Sequence, residues 1–131
     1  MEFFTHEWVE AFARKWNRDA EMVDPLAQIE FSAMVAFGYP NGDTPSALFE
    51  VNHGKIKRAG LYNKVAKLPI IDWDLRALPE QWTMWQTKPL TLSSLGVAVQ
   101  NGQLQFKVGD YRKMIRTPNL ANPFLRFFKL L

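Results

Sequence analysis

Near the start of the chain apolar residues recur at helical spacing. Trp8, Val9, Phe12, Ala13 and Trp16 fall on one side of a helix whose other side carries Glu10, Arg14, Lys15 and Arg18. Thr5 suits the N-cap and Glu7 the first turn, so the pattern predicts a helix over residues 5–17. Asp24-Pro25 closes the connection that follows, because a residue before proline is pushed out of the helical region. The period then changes to two. Ile29, Phe31, Ala33, Val35 and Phe37 alternate with Glu30, Ser32, Met34 and Ala36, which predicts a long strand whose second face is only weakly polar. Turn formers from Tyr39 to Asp43 reverse it into a second strand over residues 47–53, with Ala47, Phe49 and Val51 facing inward. His53-Gly54-Lys55 turns the chain again into a more polar third strand over residues 55–62, whose basic residues suit a protected edge.

Beyond Pro69, Ile71, Trp73, Leu75 and Ala77 share one face of a fourth strand, while Asp72, Asp74 and Arg76 share a face expected to be wet. Pro79 opens a short helix with Trp82 and Trp85 on one side, and Pro89 stops it. Thr91 or Ser94 can cap the next helix, over residues 92–99, which is so apolar that burial is expected all round. Asn101-Gly102 then turns the chain into a fifth strand in which Leu104, Phe106 and Val108 alternate with Gln103, Gln105 and Lys107. Gly109-Asp110 breaks that strand, and Asp110 caps a helix whose Tyr111, Met114 and Ile115 fold back over the sheet. Pro118 interrupts, and Pro123 starts a closing aromatic helix that runs to Leu131.

Composition narrows the function. A chain of 131 residues fits one domain with its own core, spanning residues 1–131. Five Trp and ten Phe are a heavy aromatic load, which means either a bulky core or rings lining a ligand site. The absence of cysteine excludes disulfides, thiolate catalysis and cysteine zinc sites. No apolar run approaches a membrane span, and Glu2, His6 and Glu7 break the N-terminus where a signal peptide needs continuity, so a cytoplasmic protein is expected. A net charge of +3 is mild for a nucleic-acid binder, and no nucleic-acid partner is expected.

The order of parts resembles the sterol carrier protein 2 family of lipid-binding domains. The resemblance is carried by the opening helix with Trp16-Asn17, the strands over 29–37 and 47–54, and Asp72-Trp73-Asp74-Leu75 followed by Pro79-Glu80-Gln81-Trp82. It continues through Asn101 to Asp110, where glycine, strand, glycine and aspartate lead into a helix, and it covers nearly the whole chain. It implies an α+β fold: a five-stranded mixed, mostly antiparallel sheet covered on one face by helices, enclosing an apolar tunnel for fatty acids, acyl-CoA or sterols. It implies a binding or transfer module with no catalytic residues; no cofactor is expected, and His6 and His53 lack metal-ligand spacing. The chain ends in Lys129-Leu130-Leu131 rather than the peroxisomal tripeptide of animal members, and a basic run over residues 55–67 has no counterpart in the family pattern.

On this reading the cavity wall is formed by Phe31, Val35, Phe49, Val51, Trp73, Leu75, Trp82, Trp85, Leu95, Leu104, Phe106 and Met114. Ordinary close packing is the competing account of the same residues. Toward the C-terminus Arg112, Lys113, Arg116, Arg126 and Lys129 are opposed only by Asp110, beside the apolar Phe124, Phe127 and Phe128. Phe124, Arg126, Phe127, Phe128 and Lys129 are therefore candidates for a lid or a contact with an anionic membrane, or for a homodimer interface, against a final helix that simply caps the core. The runner-up function is an accessory interaction or dimerisation domain with a filled core and no ligand. Asp72 with Asp74, or His53 with Asp43 and Ser46, form only weak catalytic candidates. Arg76 suggests a solvated face for the aspartates, and no serine sits in a nucleophile elbow.

Overall fold

The computed structural model describes residues 2–64 and 69–131; Lys67, at the end of the basic run, lies outside them. Helix α1 (His6–Arg18) begins as its cap requires, with Thr5 Oγ1 accepting from the Trp8 N–H at 3.2 Å, and it buries Trp8, Val9, Phe12 and Trp16. Its far end is fastened to the sheet. Trp16 Nε1 donates to the Gly54 carbonyl at 2.9 Å, and the Asn17 side chain exchanges two hydrogen bonds with the backbone of Ile56.

The predicted connection is in fact a second helix, α2 (Ala20–Gln28). Asp19 caps it by accepting from the Met22 N–H, and Met22, Val23 and Leu26 bury one side, so Pro25 is carried inside the helix at the cost of one backbone bond. The strand expected from Ile29 starts later, because Ile29 caps α2 and is 41% exposed. The strands are β1 (Ala33–Gly38), β2 (Ala47–Asn52), β3 (Lys55–Leu61), β4 (Trp73–Arg76) and β5 (Gln105–Val108). They form a five-stranded sheet in the order β3-β2-β1-β4-β5, antiparallel except for β1 beside β4. β3 is an edge strand, as its basic residues predict. His53 and Gly54, at φ 50° and 88°, form the two-residue turn joining β2 to β3. Gly54 has a second reason to be glycine: a Cβ there would stand 2.8 Å from the backbone of both Val23 and Ala27 in α2.

The remaining helices are α3 (Pro79–Thr87), α4 (Leu92–Gln100), α5 (Tyr111–Arg116) and α6 (Pro118–Leu130). Thr91 caps α4 in a reciprocal capping box with Ser94, yet α4 is not buried all round: Leu95 and Ala98 face the core while Leu92 and Val97 are 60% and 55% exposed. Asp110 caps α5 by accepting from the Lys113 N–H. α6 starts at Pro118, not at Pro123. Proline suits the first helical position because its missing N–H has no partner there, and Pro123 sits inside the helix, buried.

The expected wet face of β4 is also corrected. Asp74 and Arg76 are buried, and they satisfy one another through a two-pronged ion pair at 2.6 and 2.8 Å. The guanidinium also donates to the Tyr39 carbonyl at 3.1 Å, which ties the β1–β2 loop across this side of the sheet. Asp72 stays exposed, with its carboxylate accepting from the Met34 N–H.

Candidate functional site

Under the helices the β1/β4 pair lays an apolar floor. The parallel register sets Val35 beside Trp73 and Phe37 beside Leu75, so alternate residues of both strands point to the helical side. Over this floor α6 presents Leu120, Pro123, Phe124 and Phe127 at helical spacing, α2 presents Met22 and Leu26 one turn apart, and α5 adds Met114. Trp16 and Phe31 complete the lining. Together they line a partly open cavity of about 60 Å³ whose lining residues are all apolar. The volume is well below the roughly 300–1,000 Å³ of sites that hold drug-sized ligands.

Of the twelve residues expected in the wall, Phe31, Val35, Trp73, Leu75 and Met114 line this cavity. Phe49, Val51, Trp82, Trp85, Leu95 and Leu104 are buried elsewhere, and Phe106 is half-buried against Phe124. Phe49 packs on Trp8, Phe12 and Phe37, while Trp82 and Trp85 pack on each other and on Phe127 and Phe128 respectively. Six missed residues, Trp16, Met22, Leu26, Phe37, Leu120 and Pro123, are supplied by α1, α2, β1 and the first turns of α6. Two lid candidates, Phe124 and Phe127, belong to the wall, whereas Phe128 is wholly buried beside Trp85. Phe127 and Phe128 are thus both packed in the core in this structure.

Polar side chains fasten α6 over the cavity. Arg126 donates to Asp19 Oδ2 through Nε at 2.9 Å and Nη2 at 2.7 Å, and its Nη1 lies 3.0 Å from Glu21. Asn119 donates to the Pro25 carbonyl at 3.0 Å and to Gln28 at 3.1 Å, so α6 is held to both ends of α2. Lys129 stays exposed. Burial pushes the Asp19 carboxyl up, but hydrogen bonds and charge from Arg126, with the N–H groups of Met22 and Glu21, outweigh it and hold the carboxyl below its ordinary value of 3.8.

The catalytic candidates are not assembled into a site. Asp74 is paired to Arg76, His53 sits in an exposed turn, and His6 pairs with Glu10 on the outside of α1. Among the described residues no three acidic or histidine side chains cluster to hold a metal ion, and no helix is long and apolar enough to cross a membrane.

A five-stranded mixed sheet in this order, with helices over one face and an apolar cavity between them, is the sterol carrier protein 2-like fold. The sequence matches no protein-family model and no curated protein, so the likeness is structural. The chain is similar to a crystal structure of sterol carrier protein 2, with a TM-score of 0.71 at 19% identity over 98% of both chains. It is similar to the conserved hypothetical protein TT1886 of Thermus thermophilus, with a TM-score of 0.63 at 21% identity over 98% of this chain and 89% of that one. A ubiquinone synthesis protein, UbiJ-SCP2, aligns with a TM-score of 0.58 at 10% identity over 92% of this chain and 84% of that one.

Proposed function

We propose that this chain is a non-catalytic carrier of an apolar or amphipathic lipid, such as a fatty acid, an acyl-CoA or a sterol, held between the β1/β4 floor and helices α2, α5 and α6. The observation that carries the reading is the unbroken apolar lining of the cavity, at a position where the fold leaves helices rather than strands to be moved aside. Removing the ligand's apolar surface from water supplies the driving force, about 25 cal/mol per Å². Met22 and Met114 suit the task, since an unbranched thioether can repack around a guest. A volume of about 60 Å³ cannot take an acyl chain as it stands, so uptake requires α6 to swing from α2 and the Arg126–Asp19 pair to open.

The same small volume favours one other reading, an interaction domain whose core is simply full. Native mass spectrometry of the purified protein, followed by organic extraction, separates the two. The carrier reading predicts a stoichiometric lipid, or its uptake from added fatty acid or sterol. It also predicts that Leu120→Trp, at a half-buried wall position, lowers that uptake at least about tenfold while the chain stays folded. A protein that remains free of lipid after both additions belongs to the second reading.

A further inference from the structure

With the aromatic side of α6 turned inward, the excess positive charge of the C-terminal part falls on another surface. After Glu80 the only acidic residue is Asp110, although the chain has thirteen Asp and Glu in all. Lys107 on β5 and Arg112, Lys113 and Arg116 on α5 are exposed, and among the described residues none of them has an acidic partner. Asp110 is occupied in capping α5. The same part of the molecule exposes apolar side chains, Leu92 and Val97 on α4 and Val108 on β5. α4 and α5 meet where the Tyr111 hydroxyl lies 3.7 Å from the place a Cβ on Gly96 would take, and Leu92 stands one turn from Gly96 on the same side of α4. β5 is an edge strand that runs directly into α5.

We propose that the face made by α4, β5 and α5 docks on an anionic membrane surface. Unpaired cations on α5 and exposed Leu and Val on the neighbouring α4 and β5 supply the two requirements of interfacial binding, attraction to charged head groups and burial of apolar groups at their boundary. A nucleic-acid duplex would use the cations but offers nothing to Leu92 and Val97. Docking also places α5 between bilayer and cavity, because Met114 on its inner side lines the cavity while Arg112, Lys113 and Arg116 face outward. That last link depends on the carrier reading; the docking does not.

Flotation of the full chain with vesicles of phosphatidylcholine, with or without phosphatidylglycerol, tests it. The protein is expected to float with the anionic vesicles and not with the neutral ones, and to be released at about 1 M salt. Arg112→Gln/Lys113→Gln/Arg116→Gln should weaken partitioning about 100-fold, and Leu92→Ser/Val97→Ser about tenfold, all at exposed positions that leave the core intact. Arg14→Gln/Arg18→Gln on α1 should leave it unchanged, and so should Leu120→Trp, which addresses the cavity alone. Failure to float with anionic vesicles, a triple variant that floats like the parent, equal loss with the α1 variant, or displacement from vesicles by a DNA duplex would each overturn the proposal.

Discussion

Val35 and Phe37 stand two residues apart on the same face of β1, and they meet different surroundings. Phe37 stacks on Phe127 with centroids 4.5 Å apart and 12° between the rings, and Phe12, Phe49 and Trp82 close on it from 5.6 to 6.3 Å. Val35 looks into the cavity, toward a lining in which Met22, Leu26, Leu75 and Met114 stand beside the rings. The Phe37–Phe127 stack is the partition, since both rings also touch the cavity. One half of the interior is therefore filled by rings held edge to face, whose geometry is specific and stiff. The other keeps free space beside flexible thioethers and aliphatics, under α5 and under α2 and α6, the latter two each with a proline inside. Shared strands do not impose shared packing; the side chains brought by α1 and α3 fill their side, and those brought by α2 and α5 do not.

Removing the partition should have the largest effect. Phe127→Ala is expected to cost about 3–5 kcal/mol in urea unfolding, because it opens the ring cluster into a space that already lacks contacts. A loss below about 1 kcal/mol would mean that the two halves are not packed differently. A second comparison adds volume on each side. Ala47→Leu, at a fully buried position on the inner face of β2, should cost about 1–3 kcal/mol, while Val35→Leu should cost less than about 1 kcal/mol because the cavity accepts the extra methylene. Equal costs would argue against free space beneath α6.

The smallest effect is at the α2–α6 fastening. Arg126→Gln should lower stability at neutral pH by about 0.2–1 kcal/mol, the range for ion pairs open to water. Its signature is the pH dependence. Asp19 has a folded-state value below the ordinary 3.8, so its contribution is complete above that value and is lost as pH falls through the lowered one. Parent and variant should therefore differ in stability at pH 7 and converge in strong acid, as denaturation across that range would show. A constant difference would place the effect elsewhere.

Elements with a local signal were legible in the chain. Thr5 and Asp110 cap the helices they were expected to cap, and His53-Gly54 is the turn between β2 and β3. α2 was hidden because Pro25 argues against a helix, while the cap at Asp19 and the Met22, Val23 and Leu26 spacing argue for one; tertiary burial decides between them. Two prolines, Pro118 and Pro123, compete as the first residue of α6, and only a helix that begins at Pro118 brings Leu120, Pro123, Phe124 and Phe127 into the row that roofs the cavity. The buried Asp74–Arg76 pair could not be read from alternation, which divides the two faces of a strand but does not say that the Tyr39 loop covers the second. The exposure of Leu92 and Val97 is hidden for a similar reason: the apolar content of α4 does not by itself say which side of the helix faces the core.

Five methionines offer a direct test of where a lipid goes. Met22 and Met114 line the cavity, whereas Met34 and Met84 lie outside it, on the far side of the sheet and on the exposed side of α3. In protein labelled with ¹³C at the methionine methyls, titration with a long-chain fatty acid should move the Met22 and Met114 resonances together and leave Met34 and Met84 in place. Shifts confined to Met34 or Met84, or no saturable shift at Met22 and Met114, would contradict a lipid site between α2, α5 and α6.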